Sequence, residues 1–343
     1  AISDGGAFSA GNQLKVKVSG RWTDPLPYTQ NCNPASSDMA THLSLQTIGA
    51  GKFSWVDVSA TVSGEQLFSG AASTADGHVF FAPHNARGIG RFNPATNDFL
   101  TFDISASIST NVSMFDGAAV ARNGLVVFAP HNADGVGVFY PALSSFWLVD
   151  ISATLNIDGK FSGAALAGNG NVVFAPRNAD GVGMFNPTTS AFLYTNIWDT
   201  VRDSHKFKGA AVASNGLVIF APCNADGVGV FDADAQTFSY IDISDTISID
   251  DKFDGAAAAS ESIVVFAPDH ARGVGVFDAS ASVFDYVDIS SYLSGPKFRG
   301  AAAANSGQII FAACDSEAIG VFDLATSTLS LVSTALSAAP GFN

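Results

Sequence analysis

Two sets of polar residues lie at fixed positions of a repeat of about 46 residues, in which most other positions keep one residue type. One set lies just before the Gly of a Phe-x-Gly-Ala-Ala motif, and the other lies just before a turn that is most often Asn-Ala-Asp-Gly. The first set is Ser69, Asp116, Ser162, Lys208, Asp254 and Arg299, and the second set is His84, His131, Arg177, Cys223, Asp269 and Cys314. Residues that are the same in every copy serve the repeat itself, so we expect a ligand site where the copies differ.

The charged and imidazole-bearing members of these sets are the candidate ligand-binding residues. They are His84, His131, Arg177, Asp116, Lys208, Asp254, Asp269, Arg299 and, where it replaces the turn Asn, His270. A solvated rim would vary in the same way, so that alternative stays open. His84 and His131 occupy equivalent positions of adjacent copies and could share a divalent metal such as calcium or magnesium with Asp116. Because two His side chains without a fixed third ligand make a poor metal site, we expect no cofactor, with the metal as the alternative.

The sequence contains no catalytic motif in a suitable structural context. The Gly-x-Ser-x-Gly nucleophile elbow is absent. The Gly-Val-Gly runs lie within predicted strands, whereas a phosphate-binding loop lies between a strand and a helix. Cys223 is more typical of a buried, inert thiol than of a reactive one. Whether the protein is an enzyme therefore stays open, and the residues favour a non-catalytic protein.

The elements that carry these residues are short strands. In the copy that begins with Phe161, apolar segments at 161–165, 172–176, 181–185 and 192–197 are separated by tight-turn sequences such as Asn-Gly and Ala-Asp-Gly. Four antiparallel strands in a repeat of this length are typical of a propeller blade. The second segment is apolar at consecutive positions, which indicates burial on both faces between neighbouring blades. We therefore assign the recurrent Phe residues to packing between blades and not to a ligand surface.

The number of blades depends on the N-terminal segment. Residues 6–18 align without gaps on residues 163–175, which gives an additional copy with an insertion at 20–41, a third strand at 43–48 and a fourth strand at 53–59. We therefore predict one domain over residues 1–343, an all-β, seven-bladed propeller of four-stranded antiparallel blades. Its repeats start near residues 6, 70, 117, 163, 209, 255 and 300. The alternative is six blades plus an N-terminal extension.

The run Gly-Asn-Val-Val-Phe-Ala-Pro-Arg-Asn-Ala-Asp-Gly-Val-Gly-Met-Phe-Asn-Pro at 170–187 resembles the repeats of surface-layer-type YVTN propellers. It is also similar to the repeats of NHL and streptogramin-lyase-like propellers. The resemblance covers nearly the whole chain but is architectural, and it implies a propeller fold. Such propellers include extracellular binding and adhesion proteins as well as lyases and lactonases, so the fold does not choose among these functions. In a propeller, ligands usually bind around the channel mouth, on the face that carries the second-to-third-strand turns.

The composition limits the possible partners. Sixteen basic and thirty-one acidic side chains give a net charge of −15, which disfavours nucleic acid because binding its backbone depends on Lys and Arg. No apolar run approaches the length of a membrane span, and a protein or glycan partner fits the charge best. The sequence does not indicate an oligomeric state.

Because the sequence begins at Ala1, is poor in Lys and contains an Asn-x-Ser sequon at Asn111, we expect a secreted or extracellular protein, with an organelle lumen or the periplasm as the alternative.

The positions of two cysteines predict a disulfide. Cys32 lies in the insertion of the N-terminal copy, and Cys314 lies in the corresponding turn of the last copy. In a closed ring these copies are neighbours, so a Cys32–Cys314 disulfide would join the first blade to the last. The loop-entropy argument gives such a bond a stabilisation on the order of 5 kcal/mol. Three unpaired thiols are the alternative.

These observations predict a secreted, non-catalytic binding or scaffold propeller that uses the channel-mouth face for a ligand, a glycan or a protein partner. One alternative is a metal-assisted lyase or hydrolase of the streptogramin-lyase-like kind, with His84, His131 or His270 as acid or base. The other alternative is a structural subunit of a larger extracellular or luminal assembly, with the insertion at 20–41 as its contact arm.

Overall fold

The structure is a computed structural model that describes residues 15–17 and 54–334, except 109–111, 261, 292, 294, 296, 305, 315 and 317. Within these residues the chain forms strands, with two short 3-10 turns at Ser105–Ser107 and Pro141–Leu143. Among the same residues, no helix has the length and apolar character of a membrane-spanning segment.

Six four-stranded antiparallel sheets, each with its strands in chain order, form the blades. Blade 1 consists of β3 (Phe68–Ser73), β4 (Val79–Pro83), β5 (Gly88–Asn93) and β6 (Asp98–Asp103), and blade 2 consists of β7 (Phe115–Val120), β8 (Val126–Pro130), β9 (Gly135–Tyr140) and β10 (Ser145–Asp150). Blade 3 consists of β11 (Phe161–Leu166), β12 (Val172–Pro176), β13 (Gly181–Phe185) and β14 (Phe192–Asn196), and blade 4 consists of β15 (Phe207–Val212), β16 (Val218–Pro222), β17 (Gly227–Asp232) and β18 (Thr237–Asp242). Blade 5 consists of β19 (Phe253–Ser260), β20 (Ile263–Pro268), β21 (Gly273–Asp278) and β22 (Val283–Asp288), and blade 6 consists of β23 (Phe298–Ala303), β24 (Gln308–Ala313), β25 (Ala318–Asp323) and β26 (Thr328–Ser333). The first strands of consecutive blades contact one another from β3 through to β23. The predicted propeller of four-stranded antiparallel blades is therefore confirmed.

The prediction of seven blades is wrong, and the arrangement is the alternative of six blades with an N-terminal extension. In the extension, β1 (Lys15–Lys17) pairs antiparallel with β2 (Ser54–Asp57), with Lys15 opposite Asp57 and Lys17 opposite Ser54. Because the segment aligned as a second strand pairs directly with the one aligned as a fourth strand, no third strand lies between them as in a blade. The insertion at 20–41 and the segment at 43–48 lie outside the described residues.

The repeated Phe and Gly residues fit together inside each blade. Phe115 of β7 lies over Gly137 of β9, where an added Cβ would lie 2.8 Å from the Phe115 ring. Phe161 of β11 and Gly183 of β13 show the same fit, at 2.7 Å. The second strands β8 and β12 are buried along their whole length, as expected for strands covered on both faces. The Phe residues pack between blades as predicted, as in the contact of Phe80 with Phe139 of the next blade, and they also pack inside each blade, which was not predicted.

A bulge at the Gly of each first strand brings adjacent blades into backbone contact. In β11, Phe161 lies opposite Pro176 and Ala164 opposite Phe174, so one extra residue is inserted between these pairs. Gly163 has a φ of +117°, which favours glycine, and a Cβ there would lie 2.8 Å from the Cα atom of Gly209. The bulge displaces the preceding residue from the regular ladder, and that residue belongs to the first variable set.

Backbone hydrogen bonds join the blades at the end of the channel that carries the second-to-third-strand turns, which we call the mouth. His131 N donates to Met114 O at 2.9 Å, Lys160 N donates to His131 O at 2.9 Å, and Arg177 N donates to Lys160 O at 3.0 Å. The same alternation runs from Leu67 in blade 1 to Asp269 in blade 5. We call this series the backbone relay. It uses the main chain of the second variable set and leaves the side chains of that set available for other contacts.

Four buried lysines also join neighbouring blades. These inter-blade lysines are Lys160, Lys206, Lys252 and Lys297, each at most 1% exposed. Lys252 Nζ donates to Asn224 O at 3.2 Å and lies 3.0 Å from Asp226 Oδ1 of the preceding blade. Lys297 Nζ donates to Ala271 O at 2.8 Å. Their burial was not predictable from the sequence, because a lysine is expected at the surface.

Candidate functional site

Both variable sets lie around the channel mouth, where they contact one another across blade boundaries. The first set contributes Asp116, whose Oδ1 accepts from Ser69 Oγ at 2.6 Å and whose Oδ2 accepts from Ser162 Oγ at 2.7 Å. One carboxylate thus links three blades. The geometry places the predicted residues together as expected from their positions in the repeat, and it divides them into two groups.

The first group, the histidine group, comes from blades 1 to 3 and consists of His84, His131, Arg177 and Asp116. The rings of His84 and His131 are 5.6 Å apart and stack edge to face. His84 Nδ1 lies 3.1 Å from Phe115 O, and Arg177 Nη1 lies 3.2 Å from His131 Nε2. Because a guanidinium can only donate, His131 Nε2 accepts this bond, and the proton of a neutral His131 is on Nδ1.

Burial and neighbouring charges set the ionisation of this group. Burial lowers the pKa of His131 to about 4, and the cation of Arg177 opposes protonation further, against the attraction of Asp116. Burial alone would raise the pKa of Asp116, but the attraction of His131 and His84 and the two serine hydroxyls outweigh it and hold the pKa below its ordinary value. At neutral pH, His131 is therefore neutral and Asp116 is ionised.

The second group, the ion-pair group, comes from blades 4 to 6 and consists of Lys208, Asp254, Asp269 and Arg299. Lys208 Nζ lies 3.6 Å from Asp254 Oδ2, and Arg299 Nε lies 3.5 Å from the same oxygen. Arg299 Nε also lies 3.7 Å from Asp269 Oδ2. Asp269 is only 1% exposed, and burial, reinforced by the charge of Asp254, raises its pKa to about 6. Burial raises the pKa of Asp254 as well.

The remaining predicted residues lie at the edges of these groups. His270 is 45% exposed, and its Nδ1 lies 3.7 Å from Asp269 Oδ1. The Cys223 thiol is fully buried, and it lies 3.3 Å from Asp251 Oδ1. Burial raises the pKa of Cys223 to about 12, so it is not a nucleophile at neutral pH. Cys32 lies outside the described residues, so the Cys32–Cys314 disulfide stays a prediction.

The structure adds a third variable set that the sequence analysis missed. In blades 1 to 5 its members lie two residues before the first-strand Phe and have a positive φ, and the corresponding position of blade 6 lies outside the described residues. They are Gln66, Ser113, Gly159, His205 and Asp251. Each of the last four donates its backbone N–H to the turn Asn of the preceding blade, as His205 N does to Asn178 Oδ1 at 3.0 Å. The signal in the sequence was the fixed offset from Phe combined with variation in residue type.

Two members of this third set bring further charge to the mouth. Asp251 Oδ1 lies 3.4 Å from Lys208 Nζ. Burial and the nearby cations of Arg177 and Lys208 lower the pKa of His205. His205 therefore lies where the histidine group and the ion-pair group meet.

The metal alternative places a cation between His84, His131 and Asp116. Both oxygens of Asp116 accept hydrogen bonds from serines, and one ring nitrogen of each histidine faces a protein partner. Within the described part of the chain, no group of three or more His, Cys, Asp or Glu side chains has a metal-binding arrangement. The expectation that the protein has no cofactor stays a prediction.

Comparison with known proteins bears on the fold. No protein-family model matches the sequence, and no curated protein matches it. Solved structures do match. A catalytically inactive variant of virginiamycin B lyase from Staphylococcus aureus with quinupristin is 12% identical, with a TM-score of 0.66 over 79% of this chain and 85% of that chain. A streptogramin B lyase structure is 15% identical, with a TM-score of 0.62 over 78% of this chain and 83% of that chain.

A third similar structure is the extracellular domain of a hybrid two-component system from B. thetaiotaomicron. It is 14% identical, with a TM-score of 0.57 over 78% of this chain and 34% of that chain. At these identities the likeness concerns architecture alone. The chain has a β-propeller fold that resembles the streptogramin-lyase-like propellers, as its repeat pattern indicated.

Proposed function

We propose that this protein is a secreted, non-catalytic binding propeller that holds a small polar ligand, or the polar end of a glycan, at its channel mouth. The observation that carries the proposal is the convergence of three variable sets on one end of the axis. The constant residues of the repeat pack the blades, whereas the residues that differ between blades contact one another at the mouth. A solvated rim would vary as well, but its side chains would not need to contact one another across blade boundaries as these do.

The mouth is suited to a polar ligand because its groups are partly accessible and held in place. The side chains of Lys208, Asp254 and Arg299 are 15%, 20% and 28% exposed, and ion pairs fix their positions. Preorganised donors and acceptors lose little conformational entropy on binding. The mouth contains nearly balanced charges. Its cations are Arg177, Lys208 and Arg299, and its carboxylates are Asp116, Asp251, Asp254 and Asp269.

The state of His131 disfavours a role for this residue as the base of a lyase. A general base needs an available lone pair with a pKa near the working pH. The Nε2 lone pair of His131 accepts from Arg177, and the pKa of His131 is about 4. The similarity to an extracellular domain supports a secreted location, and the similar lyases keep a lyase or hydrolase as the alternative. A role as an assembly subunit through residues 20–41 concerns a segment outside the described residues.

A ligand screen with paired variants tests this proposal. We expect the wild-type protein to bind members of a glycan array or of a panel of small polar metabolites. The double variant Asp254→Asn/Arg299→Gln keeps the net charge and should lose this binding. The control is Asp76→Asn/Arg122→Gln, the same exchange in the first-to-second-strand turns on the opposite face, which should bind as wild type does. Absence of any ligand, or binding that the mouth variant retains, would contradict the proposal, and turnover of a bound compound would favour the lyase alternative.

A further inference from the structure

We infer that the ligand carries a single oxyanion on a small hydroxylated molecule, and that Arg177 receives this group. The inference rests on the proposed binding function and adds the chemical class of the ligand. The three cations of the mouth differ in their partners. Lys208 and Arg299 each lie within ion-pair distance of carboxylates. In the described part of the chain, Arg177 has no carboxylate at that distance, and its hydrogen-bond partner is the neutral His131.

A half-buried guanidinium without an anion retains most of its binding capacity. Arg177 donates from Nη1 to His131, so the remaining N–H groups of the fork are available. A guanidinium and a carboxylate or phosphate form two parallel, charge-assisted hydrogen bonds. The bond to His131 also fixes the plane of the fork before a ligand arrives. Arg177 is therefore a preorganised oxyanion receptor.

The neighbouring loop leaves space for Arg177. Gly159 is the one described member of the third variable set without a side chain, and a Cβ there would lie 2.5 Å from Asn178 Nδ2 and 2.8 Å from Arg177 Nη1. Every other member of that set carries a side chain at this level of the mouth. The small residue thus lets the guanidinium lie against the chain, and it removes the side chain that would compete with a ligand.

The electrostatic surroundings favour one anionic group and not several. Arg177 and Lys208 both lower the pKa of His205, which places two cations near one side of the mouth. Asp116, the acidic member of the histidine group, accepts hydrogen bonds from Ser69 and Ser162. The net charge of −15 repels polyanions at long range. A single oxyanion with a neutral, hydroxylated body fits both facts, and the ion-pair group supplies donors and acceptors for hydroxyl groups.

Calorimetric titration of the full chain with three matched probes tests the inference. The probes are D-glucuronate, D-glucose 6-phosphate and D-glucose. We expect at least one anionic probe to bind about tenfold or more tightly than D-glucose, the size of one charge-assisted interaction. Arg177→Gln should remove this preference, and Arg122→Gln on the opposite face should keep it. The stronger of the two anions identifies a carboxylate or a phosphate as the natural group.

The outcomes separate this inference from the proposed function. If D-glucose, or a neutral ligand from the screen, binds at the mouth and Arg177→Gln has no effect, the inference fails while the binding function stands. If neither the probes nor the screen gives a ligand, both fail. Arg177→Lys serves as a second variant because it keeps the charge but loses the fork, and it should retain only part of the preference. Thermal unfolding of each variant verifies that the fold is intact.

Discussion

At the scale of single residues, His131 and Asp269 occupy equivalent positions of blades 2 and 5 but respond to burial in opposite ways. Burial disfavours the charged form of either group. It therefore lowers the pKa of His131 to about 4 and raises the pKa of Asp269 to about 6. Between pH 4 and pH 6.5 the two residues make opposing contributions to stability, and each contribution can be isolated by substitution.

Replacing His131 by Gln should reduce the loss of stability on mild acidification. Below about pH 6.5 the unfolded chain binds a proton at this histidine, whereas the folded protein does not until about pH 4. The contribution of His131 is therefore complete above pH 6.5 and is lost as the pH falls through this window. Gln keeps an acceptor for Arg177 but does not titrate. Melting temperatures of both proteins at about pH 7.5 and about pH 5 check this, and an equal decrease in the two would contradict the assignment.

Replacing Asp269 by Asn should have the opposite pH dependence. The folded-state pKa of about 6 lies above the ordinary value of 3.8, so the folded protein binds this proton more tightly than the unfolded chain. The stabilising contribution is complete below pH 3.8 and is lost as the pH rises through 6. The groups that face Asp269 are Asp254, Arg299, Lys208 and His270. The melting temperature of Asp269→Asn relative to wild type should therefore be more favourable at about pH 8 than at about pH 4.5. A difference that does not change with pH would disprove the raised pKa.

At the scale of elements, the close approach of first strands makes their glycines sensitive to a single methyl group. Gly209 and Gly216 both have a positive φ, of +97° and +88°. An added Cβ at Gly209 would lie 2.7 Å from the Cα atom of Gly255, whereas at Gly216 it would meet nothing within 4 Å. Gly216→Ala should cost about 1 kcal/mol from backbone strain alone. Gly209→Ala should cost more than about 3 kcal/mol because two backbones must separate. Urea unfolding of both variants measures the difference, and equal losses would contradict the contact.

The inter-blade lysines act as links between one blade and the turn of the previous blade. The residue of blade 2 that is equivalent to Lys252 is Met114. A methionine side chain is therefore expected to fit at position 252 in Lys252→Met. The substitution leaves Asn224 O and the Asp226 carboxylate without their lysine partner, whereas Cys223 O keeps the backbone N–H of residue 252. We expect a loss of about 1–3 kcal/mol in the free energy of unfolding, the usual cost of unsatisfied buried groups. The reverse exchange, Met114→Lys, is the control, and a stability of Lys252→Met equal to wild type would show that water replaces the link.

The elements also show what the sequence could and could not predict. The blade core was predictable because the Phe and Gly residues that pack together, such as Phe115 and Gly137, recur in every blade at the same spacing. The mouth was predictable in position because the bulge residue varies while the Gly beside it does not. His205 and Asp251 were missed because a loop residue with positive φ has no apolar periodicity. The blade count was wrong because a gapless alignment of residues 6–18 does not specify which strand β1 pairs with.

At the scale of the whole molecule, excess negative charge opposes the compact state. The chain has a net charge of −15, and exposed like charges repel over about 10 Å at moderate salt. The ion pairs of the mouth are partly buried and are screened less than the exposed acidic groups. Added NaCl should therefore raise the melting temperature by a few degrees. Choline chloride at equal ionic strength should give the same rise, and a decrease with either salt would show that attractive pairs dominate.

The backbone relay has a consequence for how this protein can change over time. The relay joins the blades through main-chain atoms of positions such as His131, Arg177 and Cys223, so its bonds do not depend on which side chains those positions carry. Each blade can therefore exchange one mouth side chain without loosening the ring. A duplicated gene could acquire a new ligand preference one blade at a time, with every intermediate folded. Directed evolution restricted to the second variable set would have the same freedom.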